Sequence, residues 1–195
     1  MGTSGSGKTT AGKKIDRKIY QLFPGDHHYI LDTQHAGDFG VGLIRDKAPD
    51  VPKKNEHYQI WQPLRLIPDE IEKWFEMIFN HPPAVVLVDE LYVLKYKRTY
   101  SEMYTILQRA GRARGITAIS HTQKLAKIPP DAYEQSTHRL GFHMEGTYNK
   151  FIRSELLKCE RVPNPTHDYG FYYQHINGRG EPYYYHSIQH FLGER

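Results

Sequence analysis

Residues Gly2-Thr3-Ser4-Gly5-Ser6-Gly7-Lys8-Thr9 match the pattern G-x-x-x-x-G-K-[ST] at every position. The glycines permit positive φ and close backbone approach, so successive amide N–H groups can face one set of phosphate oxygens. A helix opening after Gly7 adds its positive N-terminal end. In such a loop Lys8 reaches the β- and γ-phosphates, and the Thr9 hydroxyl sits on Mg²⁺. The ligand implied is a nucleoside triphosphate, ATP with Mg²⁺, bound by residues 2–9 together with Thr10. A loop of this kind normally follows a buried strand, yet only Met1 stands before Gly2. The expectation is therefore a trimmed or late-starting chain, or a sheet without its usual first strand, with the loop poorly anchored on its N-terminal side.

The loop implies an α/β fold, and the rest of the chain agrees. Residues 7–22 read as a helix with Ile15, Ile19 and Leu22 on one face. Tyr29-Ile30-Leu31 is a short buried strand ending in Asp32, and residues 45–58, rich in Pro, Lys and Asp, form an exposed loop. A helix over residues 68–80 starts at Pro68-Asp69-Glu70 and repeats Ile71, Trp74, Phe75 and Ile78 at i, i+3, i+4, i+7. The continuously apolar run Ala84 to Val88 predicts a parallel strand covered on both faces. A helix from about Tyr100 to Ala113 is closed by Gly115, followed by strands over 116–120 and 139–144 and a helix over 146–158. The Tyr-rich stretch 169–188 predicts a hairpin turning at Asn177-Gly178. Together these predict a mostly parallel, three-layer α/β sheet with a C-terminal β-hairpin, an arrangement that with the loop resembles a P-loop NTPase of the RecA/ASCE type.

At 195 residues the chain suits one domain, with residues 1–158 as core and 159–195 as a C-terminal extension. No apolar run reaches the ~20 residues of a membrane span. The polar, glycine-rich start lacks the apolar segment of a signal peptide. Cys159 is the lone cysteine, which excludes an intramolecular disulfide and suits a reducing, cytoplasmic setting. A formal charge of +4 leans towards an anionic partner.

The strand Val85-Val86-Leu87-Val88 ends in Asp89-Glu90, the expected Walker B arrangement. Asp89 would hold Mg²⁺, and Glu90 would orient and deprotonate an attacking water. The strand over 116–120 leads into His121-Thr122-Gln123, where Gln123 could read the γ-phosphate. Arg109, Arg112 and Arg114 surround the end of the preceding helix. They suit either a solvated basic helix face or contact with a neighbouring subunit's γ-phosphate. The 12 histidines form no metal-ligand spacing, and His27, His28 and His121 read as ordinary surface or structural residues.

Assembled in this order, the motifs resemble those of the FtsK/HerA superfamily of P-loop motor ATPases, particularly its viral genome-packaging members. The resemblance spans Gly2 to about Ile152: the Gly5–Thr10 loop, Tyr29 to Gln34, Val85 to Glu90, and the Arg109–Ile116 segment leading to Gln123. It implies a homo-oligomeric ring of five or six subunits that threads double-stranded DNA, with a trans-acting arginine among Arg109, Arg112 and Arg114. DNA contacts would be non-specific and to phosphates, with Lys53, Lys54, Lys95, Lys97 and Arg98 as candidates. A capsid vertex or portal would be a further partner, in host cytoplasm or at the vertex, without a membrane. Two other readings stay open: a small nucleotide or metabolite kinase, and an assembly or secretion ATPase that does not act on DNA.

Overall fold

The structure is a computed structural model and describes residues 6–35, 43–48, 51, 56–96, 99–123, 128–143, 154–159, 162–165, 169–175 and 181–194. Helix α1 (Lys8–Leu22) leads to strands β1 (His27–Asp32), β2 (Leu43–Arg45) and β3 (Tyr58–Trp61), helix α2 (Pro68–Asn80) and strand β4 (Ala84–Asp89). A 3₁₀ turn over Leu91–Leu94 precedes the short strands β5 (Lys95–Tyr96) and β6 (Thr99–Tyr100). Helix α3 (Glu102–Ala110), strand β7 (Ile116–His121), helix α4 (Pro130–Glu134) and strand β8 (His138–Phe142) follow. Strands β9 (Phe171–His175) and β10 (Tyr183–Tyr185) and a short helix, Ile188–Phe191, complete the described elements.

The central sheet has five strands in the order β2-β3-β1-β4-β7, and every pair in it is parallel. β1, β3 and β4 carry apolar runs and are almost wholly buried, as a sheet covered on both faces requires. Alternation divides their side chains. Tyr29, Leu31, Val86 and Val88 join Ile71, Trp74, Phe75 and Ile78 of α2 and Leu107 of α3 in one cluster. Ile30, Ile60 and Leu87 point the other way, against Tyr20 of α1. The result is three layers.

Local chemistry explains the helix boundaries. Pro68 opens α2 without losing a helical N–H bond, Asp69 and Glu70 face its positive end, and the four predicted apolar positions are all buried. Each of those side chains contributes about 1.5–3 kcal/mol. Ser101 caps α3 by accepting from the Tyr104 N–H at 3.1 Å. Glu72 of α2 accepts from the next free amides of α3, Glu102 at 3.1 Å and Met103 at 2.8 Å. The end of α3 tightens into 3₁₀ over Gly111–Arg114, and Gly115 turns the chain into β7 at φ 79°. On the other face, Asp16 of α1 accepts from the Tyr58 hydroxyl and pairs with His28 Nδ1 at 2.8 Å, pinning the buried side of α1 to β3 and β1.

Three expectations change. β3 lies at the end of the expected loop and continues past it. Its four residues Tyr-Gln-Ile-Trp are all buried, and a polar Gln59 in so short a segment hides the strand pattern. The strand expected over 139–144 does not join the parallel sheet; β8 pairs antiparallel with β9, and β9 with β10, as a separate three-stranded sheet. The Tyr-rich hairpin thus exists but carries a third strand. Its turn at residues 177–178, and residues 146–153 of the last expected helix, lie outside the described residues; residues 154–157 are helical. Among the described residues no helix is long and apolar enough to cross a membrane.

Candidate active site

Parallel strands bring their C-terminal ends to one edge, and three polar side chains meet there in register: Asp32 of β1 beside Asp89 of β4, and Asp89 beside His121 of β7. The first turn of α1 lies over the same edge. Gly7 precedes it with φ 86°, a conformation open to glycine at little cost, and its Cα faces the Tyr169 ring, which a Cβ would meet at 3.0 Å. Lys8 is buried, its ammonium 3.4 Å from Ser6 Oγ, and the Thr9 hydroxyl donates to Asp89 Oδ1 at 3.4 Å. A cavity of about 370 Å³ opens between them, lined by Lys8, Thr9, Thr10, Glu90, Gln123 and Tyr169, with Gln34 at its rim. Gly2, Thr3, Ser4 and Gly5 lie outside the described residues.

The electrostatics of this edge are those of a site short of positive charge. Asp89 titrates near 6 instead of 3.8, raised by burial and then by the negative charge of Asp32, with Glu90 adding to it. Its Oδ2 is buried and has no hydrogen-bond partner in the structure. Burial lowers the Lys8 pKa, while Glu90 and Asp89 act to raise it. A hard divalent cation needs few protein ligands once it shares substrate phosphates. A hydroxyl, an adjacent carboxylate and an unpaired buried carboxylate oxygen therefore fit Mg²⁺ at Thr9 and Asp89.

His121 joins this group through Nδ1, 3.0 Å from Asp89 Oδ1. Burial, reinforced by Lys8 and Lys13, lowers its pKa to about 3. The ring is therefore neutral at pH 7, and the contact is a hydrogen bond from Nδ1–H rather than an ion pair. The sequence offered no signal for this residue; only the strand register brings it to Asp89. Tyr169 was missed for the same reason, since it comes from the far end of the chain.

Glu90 is buried and sits at φ 68°. A non-glycine residue held there costs about 1–3 kcal/mol and persists only where its surroundings demand it. Its Oε1 accepts from the Thr122 hydroxyl at 2.6 Å and from the Gln123 backbone N–H at 3.2 Å. The tips of β4 and β7 are thereby tied through one carboxylate. The Gln123 side chain is exposed and lines the cavity. Thr33, just after Asp32, donates to the Asp89 carbonyl at 2.8 Å and fixes the third strand end.

The arginines stand elsewhere. Arg114 precedes β7 at the opposite edge of the sheet, its guanidinium 4.5 Å from the Phe79 ring centre, with exposed Arg112 beside it. Residues Ile116–Ser120 of β7, about 17 Å of strand, separate them from His121. Arg109 donates to Asp131 at 2.6 Å on the surface. Within one chain none of the three reaches the cavity. Lys95 is exposed on the β5–β6 hairpin, 5.4 Å from the Tyr100 ring centre. Lys53, Lys54, Lys97 and Arg98 lie outside the described residues.

The fold is a P-loop-type α/β architecture. No family profile and no curated protein matches the chain, but solved structures do. The DNA-packaging ATPase B204 from Sulfolobus Turreted Icosahedral Virus superposes with a TM-score of 0.74 at 18% identity, over 95% of this chain and 94% of that one. The genome packaging NTPase B204 from Sulfolobus turreted icosahedral virus 2, in complex with AMPPCP, gives 0.73 at 18% identity over the same shares. The cytoplasmic domain of the Thermomonospora curvata type VII secretion ATPase EccC gives 0.56 at 15% identity, over 91% of this chain and 24% of that one. The structural neighbours are thus the packaging and secretion ATPases towards which the motifs pointed, and the likeness is one of fold.

Proposed function

We propose that this chain is a Mg²⁺-dependent ATPase motor of the FtsK/HerA type that translocates double-stranded DNA, the activity of a viral genome-packaging ATPase. The observation that carries the reading is Glu90. It is a buried carboxylate directly after Asp89, at the mouth of the Lys8–Thr9 cavity, held by Thr122 and by the Gln123 backbone. A kinase needs a bound acceptor instead of an activated water, and a carboxylate so positioned suits a hydrolysing ATPase, where it orients and deprotonates the water. The neighbours titled as packaging ATPases, one of them holding an ATP analogue, support the same choice.

In this reading ATP lies with its triphosphate against the loop from Gly2 to Gly7 and the first turn of α1. Lys8 pairs with the β- and γ-phosphates, whose negative charge favours its protonated form against the effect of burial. Thr9 and Asp89 hold Mg²⁺, which supplies charge stabilisation to the phosphates when bound. Glu90 orients a water in line with the γ-phosphorus and takes its proton. Gln123 reads the γ-phosphate, and Glu90 Oε1 links that reading to β4. An arginine from a neighbouring subunit, one of Arg109, Arg112 and Arg114, compensates developing charge in a ring of five or six. Lys95, Lys97 and Arg98, with Lys53 and Lys54, meet DNA phosphates. The whole chain acts as one ATPase domain, in host cytoplasm or at a capsid vertex or portal.

Incubation with MgATP and linear duplex DNA tests the proposal. Release of inorganic phosphate that rises with DNA is the expected result. Turnover that requires a small phosphoryl acceptor overturns it in favour of a kinase, and hydrolysis indifferent to DNA favours a secretion-type ATPase.

A further inference from the structure

We propose that His121 is a positioning residue for the Mg²⁺ site: its ring, seated against Gly12 of α1, holds one oxygen of Asp89 and leaves the other for the cation. The inference rests on the ATPase reading and extends it to two residues, His121 and Gly12, that the reading does not use.

Gly12 stands inside the 15-residue helix α1, where glycine loses more backbone freedom than any other residue and has no side chain to pack. The reason for it lies across the helix face. A Cβ at Gly12 would meet His121 Cδ2 at 3.1 Å and Nε2 at 3.3 Å, with Leu87 Cδ1 at 3.4 Å. Each distance is shorter than an ordinary contact between non-bonded atoms. The bare backbone of α1 makes room for one edge of the imidazole.

β7 delivers that ring. Side chains alternate along a strand, so His121 points to the same side as Ile119, which packs on the cluster holding Leu87, with Tyr20 of α1 beside it. The parallel register sets His121 beside Asp89. The two edges of the buried imidazole then face different partners: Cδ2 and Nε2 face the Gly12 backbone, and Nδ1 lies 3.0 Å from Asp89 Oδ1. A ring turned over about its Cβ–Cγ bond would set Cδ2 against the carboxylate, and carbon has no proton to donate there.

The Asp89 carboxylate is held unevenly as a result. Oδ1 accepts from His121 Nδ1–H at 3.0 Å and from the Thr9 hydroxyl at 3.4 Å, whereas Oδ2 is buried without a partner. A carboxylate turns about its Cβ–Cγ bond unless its two oxygens are held differently. Two donors on Oδ1 decide which oxygen stays open. Thr9 is itself a ligand in the proposed Mg²⁺ site, and its bond to Asp89 is the longer of the two. His121 is therefore the donor that holds Asp89 without touching the cation. Partners of this kind orient a metal-binding carboxylate, and losing one costs about 10–100-fold in metal affinity or activity.

The experiment measures the Kd of a non-hydrolysable ATP analogue in EDTA and in excess Mg²⁺; the ratio of the two reports what the protein gives the cation. His121→Leu fills the space without a donor and should cut that ratio at least ~10-fold. His121→Asn, whose amide nitrogen is bonded to Cγ as Nδ1 is, should stay within about threefold of the parent. Gly12→Ala puts a better helix former into α1 yet should cut the ratio about threefold, and by nothing further in the His121→Leu chain. In EDTA without nucleotide, the long-range ¹H–¹⁵N spectrum should place the His121 proton on Nδ1. An unmoved ratio in His121→Leu, an equal loss in His121→Asn, or a proton on Nε2 overturns the proposal and leaves the ATPase reading standing. Should His121→Leu not fold, an unmoved ratio in Gly12→Ala overturns it equally. If Mg²⁺ leaves the parent chain's affinity unchanged, the ATPase reading itself fails and the proposal with it.

Discussion

Replacing Asp89 by Asn removes one charge while keeping the shape and the oxygen that accepts from Thr9 and His121. The folded chain binds the Asp89 proton more tightly than the unfolded chain, near 6 against 3.8. Stability from this group is therefore greatest below pH ~4 and is lost as the pH rises through 6. Linkage with those two values gives a cost of about 1 kcal/mol at pH 4.5 and about 3 kcal/mol at pH 7.5. The Asn variant escapes that cost. Urea unfolding in EDTA, without nucleotide, should find it more stable than the parent by up to about 3 kcal/mol at pH 7.5, equivalent to roughly 6–12 °C in Tm. The gain should shrink to about a third of that at pH 4.5, with m unchanged. MgATP should then stabilise the parent and leave the variant where it was. A gain that is flat with pH, or a loss at pH 7.5, refutes the account of Asp89 as a buried, under-compensated carboxylate.

Other substitutions probe the remaining parts. Glu90→Gln should keep ATP affinity within about twofold and cut turnover at least ~100-fold; an active variant removes the water-activating role. Thr122→Val deletes the 2.6 Å bond to Glu90 Oε1 and should lower kcat about tenfold with KM unchanged; a rise in KM alone would assign Thr122 to binding instead. Lys8→Ala should abolish nucleotide binding by equilibrium dialysis. Mixing it with an inactive Arg112→Ala or Arg114→Ala chain should restore phosphate release, since one subunit supplies the loop and its neighbour the arginine. If no arginine variant, Arg109→Ala included, is rescued in this way, the shared site is excluded.

The sequence announced those features that depend on neighbours in the chain. Ile71, Trp74, Phe75 and Ile78 declare α2 because helical packing repeats every three or four residues, and all four are buried. Ala84 to Val88 declares a doubly covered strand by its unbroken apolarity. Asp89 and Glu90 were legible because they end that run. Features set by contacts distant in the chain were silent. Nothing near His121 says that β7 lies beside β4 with His121 opposite Asp89. Tyr169 packs on Gly7 from the other end of the chain. The exile of β8 from the parallel sheet also depends on pairing, because His138 to Phe142 forms a plausible strand in either partnership.

The same distinction bears on how hydrolysis could do work. Glu90 sits at φ 68° and caps the 3₁₀ turn Leu91–Leu94, and that turn leads directly into β5 with Lys95. The turn is anchored by Leu91 and Leu94, both buried in the main core, so it moves as a unit or not at all. Thr122 and Gln123 hold the Glu90 carboxylate from β7. In the proposed cycle, loss of the γ-phosphate removes the water that Glu90 orients and the group that Gln123 reads. The strained residue Glu90 then keeps the two bonds to its carboxylate and the bond from the Val93 N–H to its carbonyl, at 3.2 Å, without the ligand side. Relaxation at this single residue would reorient the β5–β6 hairpin relative to the sheet, and the hairpin carries Lys95. A charge reversal at Lys95 should then reduce stimulation by DNA and spare nucleotide binding, while Thr122→Val should weaken the coupling between DNA and turnover without altering the affinity of either ligand. If both variants retain full DNA stimulation, the path from Glu90 through the 3₁₀ turn carries no work.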